Sequence, residues 1–148
     1  MPADLDQVRS LGSAEHGLVV VAVARTDGTV NTSVVNAGVL PDPVTGEDVV
    51  GFVARGDARK LQYVRAAGRA ALTFRSGWRW VTVEGPARLA GPDDELPGLP
   101  PDQLPKLLRD VFTAAGGTHD DWDEYDRVMA AERRTAVLVT NSGWTAGS

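Results

Sequence analysis

The sequence predicts a mainly β domain of the α+β kind: a small six-stranded antiparallel barrel with peripheral helices. Three observations predict it. Six short runs rich in β-branched residues are separated by turn signals. The first three are joined by connections too short for crossover helices, so they read as a meander and not a parallel sheet. An open sheet of this size would also leave exposed edges, which closure removes. The length of 148 residues suits one domain over residues 1–148. A chain of that size buries roughly 68–70% of its unfolded surface and needs no disulfide or metal to hold a core.

The elements follow in order. Residues 3–10 read as a short helix. Residues 17–24 are apolar at both parities, which predicts a strand covered on both faces. Thr26-Asp27-Gly28 turns into a second strand, residues 30–40, which carries Asn31, Ser33 and Asn36 among its valines. A Pro/Asp/Gly loop over 41–46 leads to a third strand, 49–54. Asp57 is placed to cap a helix running through Arg59, Lys60, Leu61 and Val64, with Gly68 as its stop. Residues 70–75 and 78–89 read as a fourth and fifth strand. Residues 91–101 hold four of the nine prolines and predict an exposed, mobile loop. Leu104, Leu107, Leu108, Val111, Phe112 and Ala115 make one face of an amphipathic helix ended by Gly116-Gly117. Thr118-His119-Asp120-Asp121 resembles a capping box for a helix that aligns Trp122, Tyr125 and Met129. Residues 135–140 form the sixth strand.

Composition removes several function classes. With no cysteine there is no thiolate metal site, iron–sulfur cluster or cysteine nucleophile. Two histidines, His16 and His119, leave little for a His-based metal site, and Asp120 and Asp121 beside His119 read as helix-dipole complements. No metal site is expected. The net charge of −5 argues against coating a nucleic acid. The longest apolar run, residues 17–24, is far below the ~20 residues of a membrane span, and the polar first ten residues do not read as a signal peptide. A cytoplasmic location is the default expectation. No phosphate-loop, dinucleotide or nucleophile-elbow motif is present.

What remains is a local basic cluster. Arg59 and Lys60 oppose the helix dipole at a helix start, where free backbone N–H groups also gather. Cations and N–H donors together suit an anion, typically a phosphate, and Arg55 adds to them. Charge pattern alone leaves this open against a solvated basic face that also includes Arg65 and Arg69. Trp78 and Trp80 share one face of an ideal strand and suit a planar ligand, a subunit contact or ordinary packing. Ser33 and Asn36 fall on opposite faces unless a bulge intervenes.

The run from Gly56-Asp57-Ala58-Arg59-Lys60-Leu61 to Leu72-Thr73-Phe74 resembles the strand–helix–strand signature of pyridoxamine 5′-phosphate oxidase-like flavoproteins. Asp27-Gly28-Thr29-Val30 before it and the segment from Gly77-Trp78-Arg79-Trp80 to Gly85 after it keep the same order. Thr118 to Tyr125, followed by Met129, Arg133 and Arg134, resembles the actinobacterial branch that uses the deazaflavin coenzyme F420. The resemblance covers about residues 17–140. It implies a split β-barrel homodimer with cofactor sites at the subunit interface, and an F420-dependent oxidoreductase acting on a small organic substrate. FMN is the alternative cofactor, and a non-catalytic flavin, deazaflavin or haem binder the alternative function. By position, Arg59 and Lys60 match the pair that holds the cofactor phosphate, and Ser33 and Asn36 match strand positions lining the cofactor. Trp78 and Trp80 match the strand that reaches the interface. One departure stands out. The oxidases proper carry an Arg and a Lys on the second strand, where this chain has Ser33 and Gly38. Loss of two cations weakens a dianion site and favours F420 over FMN. No side chain is an obvious catalytic acid.

Overall fold

The computed structural model describes residues 4–147. Its strands are β1 (Leu18–Ala24), β2 (Val30–Pro41), β3 (Asp48–Ala54), β4 (Arg69–Ser76), β5 (Arg79–Ala90), β6 (Thr135–Val139) and β7 (Gly143–Gly147). The helices are α1 (Leu5–Ala14), α2 (Arg59–Ala67), α3 (Leu104–Ala114) and α4 (Trp122–Ala131). All pairings are antiparallel in the order β4-β1-β2-β3-β6-β5, and β4 also pairs with β5, which closes a six-stranded barrel. The seventh strand, β7, extends the β5 edge. The predicted fold class is therefore the observed one, with one strand more than expected. No helix among the described residues is long and apolar enough to cross a membrane.

Two long strands carry the closure. β2 pairs with β1 through Asn36 and with β3 from Ala37 onward. β5 pairs with β4 along its first half and with β6 over Ala87–Ala90. Before Ala37, β2 has β1 as its one strand partner. Ala37 N–H donates to the Gly17 carbonyl at 2.9 Å, and Arg25 N–H to the Thr29 carbonyl at 2.8 Å. With antiparallel alternation, the main-chain groups of Val30, Thr32, Val34 and Asn36 must then point away from β1. That edge of β2 is open.

Two apolar clusters share β3 and β6. Val50, Phe52, Ala54, Val137 and Val139 face the barrel interior with Val19, Val21, Val23, Leu72, Phe74 and Leu61. Val49, Ala136 and Leu138 face outward under α3 and α4, against Leu107, Leu108, Val111 and Tyr125. β6 is accordingly buried at every position. The expectation for β1 needs correction. Val19, Val21 and Val23 are interior, but Leu18 and Val20 remain 49% and 44% exposed, because no helix among the described residues covers that outer face.

Other local readings shift as well. The first helix runs to Ala14, capped by Asp4, which accepts from the Asp6 N–H at 3.0 Å. Asp57 does not cap α2; Ala58 holds that position, and Asp57 turns back to Arg55 at 3.5 Å. The cap of α4 is Asp121, which accepts from the Glu124 N–H at 3.1 Å, so the capping pattern starts three residues later than Thr118. Trp78 lies in the turn between β4 and β5 and not on the strand with Trp80. The proline-rich stretch is tied down: Leu96 is buried, Asp94 takes two hydrogen bonds from Arg65, and Asp93 pairs with Arg133.

Candidate functional site

Beyond the pair Ala37 and Phe52, β2 and β3 diverge, and a cavity of about 700 Å³ opens between them. Val34, Val35 and Asn36 form one wall, on the open edge of β2. Val53, Ala54, Arg55, Asp57, Ala58 and Lys60 form the opposite wall, from the end of β3 to the start of α2. Helices α3 and α4 contribute Val111, Phe112, Ala115, Tyr125 and Met129, and Arg134 closes the rim.

Local sequence explains each piece. The β3–α2 connection contains Gly56, where a Cβ would lie 2.6 Å from the Arg133 carbonyl oxygen, so the chain after α4 packs directly on this glycine. Arg133 adopts φ +50°, a left-handed conformation that side chains other than glycine rarely take. This turn separates neighbours: Arg133 reaches Asp93, while Arg134 lines the cavity. Helix α2 starts without a side-chain acceptor and without an acidic residue in its first turn. Its leading N–H groups and the Lys60 cation thus accumulate positive potential at the cavity wall. Burial holds the Lys60 ammonium below the usual lysine range.

The cavity lining combines cations with an apolar wall. Arg55, Lys60 and Arg134 supply the cations; Arg55 reaches the Glu132 carboxylate at 3.8 Å and Arg134 reaches it at 3.2 Å. Arg134 Nε is buried with no hydrogen-bond partner. The helical wall, Phe112, Tyr125 and Met129, is apolar or aromatic. Phe112 is in tilted contact with Tyr125, with ring centroids 5.0 Å apart, and Trp122 backs both. The Tyr125 hydroxyl donates to the Leu108 carbonyl at 3.0 Å, and burial pushes its pKa up to about 12. This phenol stays protonated and joins α4 to α3.

The structure brings together three of the sequence-predicted residues, Arg55, Lys60 and Asn36. Asn36 Nδ2 donates to the His16 carbonyl at 3.0 Å, so its amide is partly engaged. Arg59 is exposed one position before Lys60 and lies outside the cavity lining. Ser33 faces the barrel side of β2, where its Oγ and the Asn31 Oδ1 are buried without partners. Trp78 is 90% exposed at its turn. Trp80 is half-buried, its indole close over Gly147 of β7. Sequence reasoning missed the helical wall and Arg134, although Met129 and Arg134 stand in the segment quoted for the family resemblance. Gly38 has a structural reason: a Cβ there would lie 2.1 Å from the Ala114 carbonyl oxygen. The end of α3 occupies the space that a cation on β2 would need.

A planar polar-edged ring with an anionic tail matches this cavity in kind: flat apolar walls, an open strand edge offering N–H and C=O groups, and clustered cations. No family model matches the chain. Its fold is similar to that of a conserved hypothetical protein from Mycobacterium tuberculosis, at 15% identity and TM-score 0.69, over 99% of this chain and 85% of that one. It is similar also to a pyridoxamine 5′-phosphate oxidase-related, FMN-binding protein from Nostoc punctiforme, at 13% identity and TM-score 0.62, over 96% and 79%. An F420 reductase is similar at 14% identity and TM-score 0.57, over 86% and 88%. The likeness at these identities is one of fold, the split barrel.

Proposed function

We propose that the chain is an oxidoreductase that binds a flavin-type cofactor, F420 in preference to FMN, in the cleft between β2 and β3. The observation that carries the reading is the juxtaposition of Arg55, Lys60 and Arg134 with an apolar wall and an open strand edge. The residues present fit such a group. Arg134 has a buried, unpartnered Nε, and α2 has an uncapped start. Lys60 has no carboxylate partner among the described residues, and three cations stand against two carboxylates there, which attracts an anionic tail. The closed approach at Gly38 favours F420, because it leaves no room for a second-strand lysine to grip a terminal phosphate.

The cofactor, when bound, supplies hydride chemistry. The protein's own part is binding, orientation and exclusion of water. Lys60, Arg55 and Arg134 hold the anionic tail. The main-chain groups of Thr32 and Val34 offer hydrogen bonds to the polar edge of a ring. Val53, Phe112 and Met129 keep the substrate space apolar, where a small organic acceptor meets the ring within reach. Tyr125 is committed to the Leu108 carbonyl, so the proton for an acceptor comes from solvent or from the substrate.

The outer face of β1 and β2, with Leu18, Val20 and Val34 exposed, supports a homodimer built on this face, beside the cleft. Titrating the purified protein with F420 and with FMN tests the reading: saturable binding of one of them is expected, and no saturable binding of either contradicts it. Turnover of the reduced cofactor with a panel of enones and quinones separates an enzyme from a storage or sensing protein.

A further inference from the structure

The charges around the cleft are not all positive. Arg55, Lys60 and Arg134 line it, but Asp57 lines it too, and Glu132 stands behind the two arginines. Glu132 accepts from Arg134 through both oxygens, at 3.3 and 3.2 Å, and its side chain is only 25% exposed. Its own carbonyl accepts from the Gly56 N–H at 3.1 Å, so the residue is fixed at the junction of α4 with the β3–α2 turn. Arg133, turned out by its left-handed φ toward Asp93, takes no share of Glu132. The rim thus carries one net positive charge beyond its own carboxylates.

We infer that Glu132 sets the charge the cleft accepts, which rests on the cofactor reading above. By engaging Arg134 and, more loosely, Arg55, it matches the rim to a singly charged phosphodiester and disfavours a doubly charged terminal phosphate. Glu132 is in this sense a specificity-determining residue that acts through two arginines. It touches no reacting atom.

The physics gives a quantitative signature. The field of one carboxylate acts twice as strongly on a dianion as on a monoanion, and not at all on a neutral ligand. The test compares riboflavin, riboflavin 4′,5′-cyclic phosphate and FMN by quenching of flavin fluorescence at pH 8, where a terminal phosphate is doubly charged. F420 is titrated in parallel. For Glu132→Gln, FMN affinity is expected to rise about tenfold and cyclic phosphate affinity about threefold, with riboflavin unchanged, since the logarithm of the gain scales with ligand charge. Glu132→Asp keeps the charge and is expected to keep the wild-type ratios. Equal changes for all three ligands, or no change in their ratios, overturn the inference, because a purely structural role moves them together. Binding of F420 with no binding of any flavin leaves the cofactor reading standing and overturns this one. No binding of any of the four overturns both.

Discussion

On the side of the molecule where the loop between β5 and α3 folds back, cations meet carboxylates in pairs. Arg65 gives Asp94 two hydrogen bonds, Arg133 pairs with Asp93, and Arg88 reaches the buried Asp42. Around the cleft the pattern differs. Lys60 lines the cavity without an ion pair among the described residues, and two arginines share one glutamate. The same residue types therefore do two jobs. Matched pairs fasten loops to the barrel, whereas one surplus cation beside an apolar wall leaves charge for a ligand to neutralise.

Perturbing the two regions should produce different kinds of loss. The largest effect is expected at Asp42, which is 2% exposed and accepts from the Val44 and Thr45 N–H groups as well as from Arg88. Asp42→Ala removes a buried acceptor from Arg88, itself a third exposed, and from two N–H donors, and urea denaturation should register a loss of about 2–3 kcal/mol. Burial alone would raise the Asp42 pKa, but Arg88 and the two N–H donors together outweigh it and hold the carboxyl below its ordinary 3.8. Its contribution to stability is present above that value and lost as pH falls through the lower folded value. Acid should therefore erode wild-type stability more than that of Asp42→Asn. Lys60→Ala should do the reverse: cofactor affinity falls about 10- to 100-fold, as for a lost charge-assisted contact, while the melting temperature stays near wild type. A weaker effect is expected from Tyr125→Phe, which removes the second hydrogen bond on the Leu108 carbonyl, already an acceptor within α3, and should cost about 0.5–1.5 kcal/mol in denaturant titrations. Asp93→Asn should change melting temperature least, because both partners of that pair are more than half exposed. A large loss there would break the contrast between fastening and ligand-facing charges.

Much of this architecture is legible in sequence because it is local. Valine-rich runs bounded by turn residues set β1 to β3, Gly68 at φ +66° ends α2, and the leucine spacing of α3 buries Leu107, Leu108 and Val111. The basic character of the first turn of α2 was also readable, since two cations with no acid there contradict the helix dipole. What escaped depends on distant partners. β7 lacks a strong apolar pattern and forms by extending the edge of β5. Arg134 reaches the cleft only because Arg133 turns left-handed and Gly56 lets the chain approach. Asp57 looks like a cap in sequence, but the turn fixed by the Ala58 N–H on the Arg55 carbonyl moves the helix start past it. Trp78 and Trp80 share a face only in an ideal strand, and Trp78 falls in the two-residue turn before β5 begins at Arg79.

The central claim is that unmatched charge beside the β2 edge binds the cofactor's anionic tail. Equilibrium titration of F420 against wild type and Lys60→Ala, with circular dichroism on both, tests it most directly. The expected result is saturable wild-type binding that weakens with added salt and falls at least about tenfold in Lys60→Ala, with the fold intact in both. Equal affinity in the two proteins, or no saturable binding by wild type, would contradict the account.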